Sequence, residues 1–429
     1  MNSQNILQQI NAEAKFIENS IGYQKTKIGT IPKDWKVKKL KDISNRVQRK
    51  NDGKSHNVLT ISSKGGFLNQ TERFSKVIAG ENLAKYILLR KNEFAYNKGN
   101  SKTYPYGCIY RLEDYEEALV PNVYYCFEIR EGVTEFYKHY FIAGKLNKFL
   151  ARVINTGVRN DGLLNLNVTD FFDVPVAAPP IKEQQKIASI LSTWDKAIEL
   201  KEKLIEQKKK QKKGLMQKLL TGEVRLPGFK GKWKEVRIKD LGTLKGGSAF
   251  PEKYQNVISG KYPFFKVSDM NNEENEKYML NANNYINEEI RSEIKATIIP
   301  KNSIIFAKVG AALLLERKRI LKYDSCIDNN MMALIVKENI DFNYVYYLLL
   351  NMKLSRFSNV GALPSLNSND VYSLKCRLPM DYDEQKAVAE LLSLFDKEID
   401  LLQNELIQIK QQKKGLMQLL LTGKVRVKV

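Results

Sequence analysis

Residues 211–217 read Gln211-Lys212-Lys213-Gly214-Leu215-Met216-Gln217, and residues 412–418 repeat them as Gln412-Lys413-Lys414-Gly415-Leu416-Met417-Gln418. The match continues as Leu219-Leu220-Thr221-Gly222 against Leu420-Leu421-Thr422-Gly423, then Val224-Arg225 against Val425-Arg426. Extended upstream, 184–225 aligns with 385–426 without a gap at a constant offset of 201, and 23 of 42 positions are identical. Solenoid periods run to only about 20–50 residues, so this is a duplicated two-part unit. A second echo opens each half. Trp35-Lys36 and Leu40-Lys41-Asp42-Ile43 return as Trp233-Lys234 and Ile238-Lys239-Asp240-Leu241. Lys91-Asn92 repeats as Lys301-Asn302, and Leu166-Asn167 with Asp170 as Leu366-Asn367 with Asp370. Between these landmarks the halves diverge, so one scaffold presents two different surfaces.

The repeated segments have the period of long helices. In the first copy Ile187, Leu191, Trp194, Ile198, Lys201, Ile205, Lys208, Lys212, Leu215 and Leu219 are spaced alternately by four and three. The second copy keeps the register with Val388, Leu392, Phe395, Ile399, Leu402, Leu406, Ile409, Lys413, Leu416 and Leu420. That is a heptad seam held for more than four heptads. Asp381 followed by Glu384 reads as a capping box for the second helix. Pro179-Pro180 marks the start of the first, and Thr221-Gly222 and Thr422-Gly423 end the two with C-cap glycines. About 35 residues at 1.5 Å each make a rod of roughly 50 Å. Two seams in one chain favour an intramolecular antiparallel pair over pairing between chains. The three lysines on the first seam weaken it, or face DNA or a partner subunit instead.

The intervening modules read as mixed α/β. Strands are expected at 58–61, 108–112, 124–129, 262–267, 303–307 and 331–336, with helices near 135–153 and 342–357. The expected organisation is an N-terminal helix at 1–20, a first module at 21–180, a helix at 181–222, a second module at 223–380, and a helix and tail at 381–429.

Composition narrows the function. The chain has 429 residues, 70 Lys+Arg against 48 Asp+Glu, and a net charge of +22. That balance points to a polyanion, nucleic acid first. No apolar run approaches the ~18 residues of a membrane span, and the N-terminus does not read as a signal peptide. Cys108, Cys126, Cys326 and Cys376 form no C-x-x-C pair, and only His56 and His139 are present. A cytoplasmic location is expected, with no metal site and no catalytic residue. The chain contains no P-loop, no G-x-G-x-x-G after a strand and no Asn/Asp-Pro-Pro-aromatic tetrapeptide. Glu183 with Lys186, and the run 383–386, read as helix openings rather than nuclease motifs.

What remains is binding. Basic residues interleave with amides, aromatics and glycines in both modules. The candidates for DNA contact are Lys64, Arg73, Tyr96, Asn97, Lys98, Asn100, Lys102, Tyr104, Arg159 and Asn160 in the first, and Lys245, Ser248, Lys308, Arg317, Lys318 and Arg319 in the second. Lysine and arginine neutralise phosphates, while Asn and Arg read base edges in the major groove. Each residue singly is as readily a solvated surface group; the clustering favours DNA.

The doubled Gln-Lys-Lys-Gly-Leu-Met-Gln helices, the openings at 31–35 and 229–233, and the approaches at 174–184 and 378–385 resemble the specificity (S) subunit of type I restriction–modification enzymes over essentially the whole chain. The resemblance implies two similar globular target recognition domains joined by two long antiparallel coiled-coil helices, a pseudo-two-fold internal duplication. It implies a non-catalytic subunit reading a bipartite asymmetric DNA site and docking two methylation (M) subunits, with restriction (R) subunits in the full complex. S-adenosylmethionine, ATP and Mg2+ would then belong to the partner subunits. A 50 Å rod sets two half-sites roughly 14–15 base pairs apart at 3.4 Å per pair. The alternatives are a DNA-binding subunit of a two-subunit, type IIB-like system, and a coiled-coil adaptor without sequence specificity.

Overall fold

The structure is a computed structural model that describes residues 22–62, 66–70, 83–99, 104–154, 163–358 and 364–429. Lys64, Arg73, Asn100, Lys102, Arg159, Asn160 and the expected N-terminal helix lie outside the described residues. The rest falls into two compact units. One comprises the chain up to Glu202 together with Asn404–Val429, the other Lys203–Gln403. Each long helix therefore contributes one half to each unit.

The helices span Ile181–Thr221 and Tyr382–Leu420, 41 and 39 residues, and run past Gly214 and Gly415 without a break. Within each unit their halves pair antiparallel. In the first unit Lys201 Nζ lies 2.6 Å from Glu405 and Lys410 2.6 Å from Glu202, and Lys413 pairs with Asp195. In the second, Lys208 lies 2.6 Å from Glu398 and Lys212 pairs with Asp396. All twenty seam positions are buried or half-buried. The three seam lysines therefore do not open the seam; their ammonium groups meet carboxylates of the facing helix. The expectation for Glu384 also needs correcting. Asp381 does cap, accepting from the N–H groups of Asp383 (2.9 Å) and Glu384 (3.4 Å). The Glu384 carboxylate turns away to Arg225.

In the first unit the central sheet has the order Ser44–Val47, Tyr125–Ile129, Phe94–Asn97, Cys108–Arg111, with every neighbour antiparallel. A second sheet runs Phe67–Asn69, Asn57–Ile61, Glu117–Val120, Ile87–Arg90. Alternation along a strand sends every second side chain inward, so Phe94 and Tyr96 join Phe127, Phe136, Phe141 and Phe171 in an aromatic core. Ile187, Leu191 and Trp194 of the first long helix and Ile409, Met417 and Leu420 of the second belong to that same core. The helix expected at 135–153 is two, Thr134–Ile142 and Asn147–Val153. Gly144, at φ +64°, takes the left-handed conformation that ends the first.

The second unit repeats the plan. Its sheet orders Gly242–Gly246, Met331–Val336, Ile304–Ala307, Lys318–Leu321, Tyr278–Met279, antiparallel except for the last pair. Helix Phe342–Asn351 covers it, and its core includes Leu219, Leu220, Val388 and Leu392 from the long helices. Each unit also closes with a two-stranded ladder between its opening and the approach to a long helix: Lys36–Lys39 with Pro175–Ala178, and Trp233–Arg237 with Lys375–Pro379. Among the described residues no helix is long and apolar enough to cross a membrane.

Candidate nucleic-acid interface

Each module is mounted on the long helices by the same side chains. Gln184 accepts from the Val133 N–H at 2.8 Å and donates to the Pro179 carbonyl at 2.8 Å. Gln385, at the repeat offset, accepts from the Asp341 N–H at 2.9 Å and donates to the Pro379 carbonyl at 2.8 Å. Next to them Glu183 accepts from Arg426 (2.7 and 2.9 Å) and from the Trp35 indole (2.8 Å). Glu384 accepts from Arg225 (2.9 and 2.6 Å) and from the Trp233 indole (3.2 Å). Both glutamates are 1% exposed. A buried carboxylate is tolerated when charge and hydrogen bonds meet it, and the same trio does so twice.

The glutamines fix one end of each sheet, because Val133 and Asp341 follow directly from the strands ending at Ile129 and Val336. The antiparallel register gathers a different group at the opposite end. In the first unit Tyr125 pairs with Tyr96, and Cys126 with Val47. Lys98, Gly99 and the turn at 121–124 therefore sit together. In the second, Met331 pairs with Ala307 and Met332 with Gly246, which collects Lys245, Lys308 and the turn at 328–331. Both turns close alike: Tyr124 N–H donates to the Pro121 carbonyl and Met331 N–H to the Asp328 carbonyl, each at 3.0 Å. Both lysine carbonyls accept a backbone bond of 2.8 Å, Lys98 from Leu164 and Lys308 from Leu366. Gly247 is required here. A Cβ at that position would lie 1.9 Å from the Asp328 carbonyl oxygen. Asp328, its carboxyl pushed above the usual range by burial, pins the turn by accepting from the Asn330 N–H at 2.8 Å.

The sequence candidates divide at this end. Lys245 is exposed and Lys308 half-buried. Ser248 Oγ accepts from the Thr297 N–H at 3.1 Å. Lys98 rests 4.9 Å above the Tyr125 ring, its Nζ 3.4 Å from that hydroxyl. Asn97 bonds the Gly99 N–H at 2.9 Å, and the Tyr104 hydroxyl meets that of Tyr110 at 2.8 Å. Tyr96 belongs to a strand, not a loop. It is 1% exposed, stacked on Phe171 at 4.5 Å, with its hydroxyl bonded to the Tyr106 carbonyl. Lys318 is likewise 1% exposed, donating to Glu316 and to the Met352 carbonyl. Arg317 donates to Asn271, and Arg319 to the carbonyls of Lys318 and Met270. That basic triplet faces internal acceptors. Exposed Asn122, Asn329 and Asn330 on the two turns escaped the sequence reading. Their signal is present: Pro-Asn and Asp-Asn-Asn directly before an apolar strand mark a turn.

Asp52, His56 and Glu117 bring one ligand atom each within 4.8 Å of one another. His56 Nε2 sits 2.8 Å from Asp52, and Glu117 accepts from Arg90 instead.

Residues 32–209 and 230–411 each match the family described as type I restriction modification DNA specificity domain. The chain belongs to that family. It is 28% identical over 429 residues, 95% of this chain and 97% of the relative, to the protein assigned as the type I restriction enzyme MjaX specificity subunit of Methanocaldococcus jannaschii. It is 24% identical to the MjaIX specificity subunit of the same organism, covering 94% of this chain and 96% of that one. Among solved structures, it matches a chain from a study of type I R-M complex assembly and conformational transition at TM-score 0.58 and 11% identity, over 92% of this chain and 99% of that chain. It matches the type I S subunit from M. genitalium at TM-score 0.52 and 14% identity, over 94% and 97%. These likenesses support the duplicated, mixed α/β specificity-domain fold.

Proposed function

We propose that this specificity-domain protein is the non-catalytic DNA-reading subunit of a type I restriction–modification complex, and that its two modules each select one half of a bipartite, asymmetric duplex site. One observation carries the reading: the two modules are mounted through the same Glu, Arg, Trp and Gln, yet differ in the side chains at the remote end of each sheet. A palindromic target would call for two identical reading surfaces. Two unlike surfaces on like mounts suit two unlike half-sequences. The long helices then serve as spacer and as docking platform for two methylation subunits, with restriction subunits joining the full complex. S-adenosylmethionine, ATP and Mg2+ belong to those partners.

The experiment is genome-wide mapping of methylated adenines in cells carrying the methylation subunit with and without this chain. A motif of two specific halves around an unread gap, present only with the chain, is the expected result. Exchange of module 2 for that of another specificity subunit then replaces one half-sequence and keeps the other. Methylation unchanged by removal of the chain sinks the proposal.

A further inference from the structure

The two remote sheet ends share one lysine position and differ at the positions around it. We propose that Lys98 and Lys308 make the same contact to a DNA phosphate in both half-sites, and that base discrimination falls to the neighbouring positions at which the modules differ. This rests on the DNA-recognition reading above and adds to it a division of labour.

The two lysines are equivalent by construction. Asn92 and Asn302, at φ 69° and 66°, open matching strands, Phe94–Asn97 and Ile304–Ala307. Each strand runs antiparallel to the central strand that follows the turn. Each lysine comes directly after its strand, and its carbonyl accepts the same 2.8 Å bond from the segment leading to an Asn-capped short helix. Lys308 is tied further to the turn, its N–H donating to the Asn330 carbonyl at 2.9 Å.

A residue held in common at one place cannot be the source of a difference between two modules. If the half-sites differ, a shared lysine suits what every half-site offers, a phosphate. Lysine is a compact point charge with three donors; phosphate contacts set position and base contacts set sequence. Neither ammonium forms an ion pair among the described residues, unlike Lys201, Lys208, Lys212 and Lys413 on the helices; Lys308 acts on the Asp328 carboxyl only through its field. Lys308 Nζ lies against bare Gly246, 3.8 Å from where a Cβ would stand, so the half-buried side chain has room there for its head group. The differing positions lie alongside: Asn97 against Ala307, and Val123 against Asn330. An exposed amide such as Asn330 can pair with an adenine edge, which neither alanine nor valine can do.

The test uses the full chain purified with its methylation subunit. Bound sequences are selected from a random duplex library, and affinity for the selected duplexes is measured against salt. K98A and K308A each retain both half-sequences, weaken every selected duplex by a similar factor, and lower the slope of log K against log salt by about 1. K98R and K308R restore the slope. N330A changes base preference within one half-site only. Lys→Gln variants replace any alanine variant that fails to fold. A lysine variant that alters base preference in its half-site, or leaves the salt slope at its original value, overturns the proposal. A wild-type complex that selects no sequence overturns the recognition reading beneath it, before any variant is compared.

Discussion

Arg426 holds Glu183 through two nitrogens, at 2.7 and 2.9 Å, and Arg225 holds Glu384 in the same way 201 residues earlier. In both cases the arginine lies just past the end of one long helix and the glutamate at the start of the other. Each pair thus fixes the antiparallel register of its unit. The two pairs are not equal. Arg426 also reaches Asp34 at 2.7 and 3.1 Å, a place that Lys232 takes in the second unit. Its side chain is 12% exposed against 29% for Arg225.

Removing Arg426 leaves a buried carboxylate without its charge partner. Breaking such a pair costs about 3 kcal/mol or more. R426A is expected to lower the unfolding free energy of the first unit, read from urea unfolding, by that amount, and R225A that of the second by less. Residue-resolved hydrogen exchange separates the units; equal losses would show the asymmetry to be unimportant.

Lys201 supplies the opposite case. It is 5% exposed, while its partner Glu405 is 55% exposed, so the carboxylate can return to water when the lysine is removed. The second helix has Leu402 at the equivalent place. Replacing a buried ion pair by a well-packed apolar side chain is often neutral or stabilising. K201L should therefore raise the thermal midpoint or leave it unchanged. A fall comparable to that of R426A would mean that the pair specifies the seam.

The helices, their ends and the duplication were legible because each rests on a local period or a repeated string. The seam lysines were not, since a lysine at a heptad position gives no sign of the acid opposite. Glu183 and Glu384 looked like caps because a capping box is local, whereas their true partners, Arg426 and Arg225, lie 243 and 159 residues away. At the candidate interface Lys98, Lys245 and Lys308 stood out as basic residues near glycines. Tyr96 and Lys318 misled because strand alternation, once its phase is known, points both inward. Asn122 and Asn329 went unnoticed because only the register brings the turns beside the lysines.

His139 and Tyr347 occupy the same place on their helices, six residues past the N–H that Gln184 or Gln385 accepts from. Tyr347 donates to Asp396. His139 is fully buried and faces Glu135 on its own helix, Ser192 and Asp195 on the first long helix, and Lys413 on the second. Burial drives its pKa from 6.5 down to about 4, against the pull of Asp195. The unfolded chain therefore takes up the proton first. Stability is full above pH 6.5 and falls, as pH drops towards 4, by about 1.4 kcal/mol per pH unit from this group. Comparing H139Y with wild type by urea unfolding across that window should show the variant losing less. Parallel pH profiles would assign the acid sensitivity to the surrounding carboxylates.

Gly247 offers a way to damage one reading surface and spare the other. A methyl group there cannot coexist with the Asp328 carbonyl at 1.9 Å, and since that oxygen is backbone no side-chain rotation relieves the clash. The strand carrying Lys245 must separate from the 328–331 turn, which displaces Asn329, Asn330 and the bond from Lys308. The cores around Leu334 and Tyr344, and the Gln385 mount at the far end of the sheet, do not touch this position. G247A is therefore expected to assemble normally with the methylation subunit. In sequence selection it should lose or relax one half-sequence and keep the other at full stringency. The lost half identifies the sequence read by the second module. Loss of both halves would mean that the two modules bind DNA only as a unit, and loss of neither would move the reading surface away from this end of the sheet.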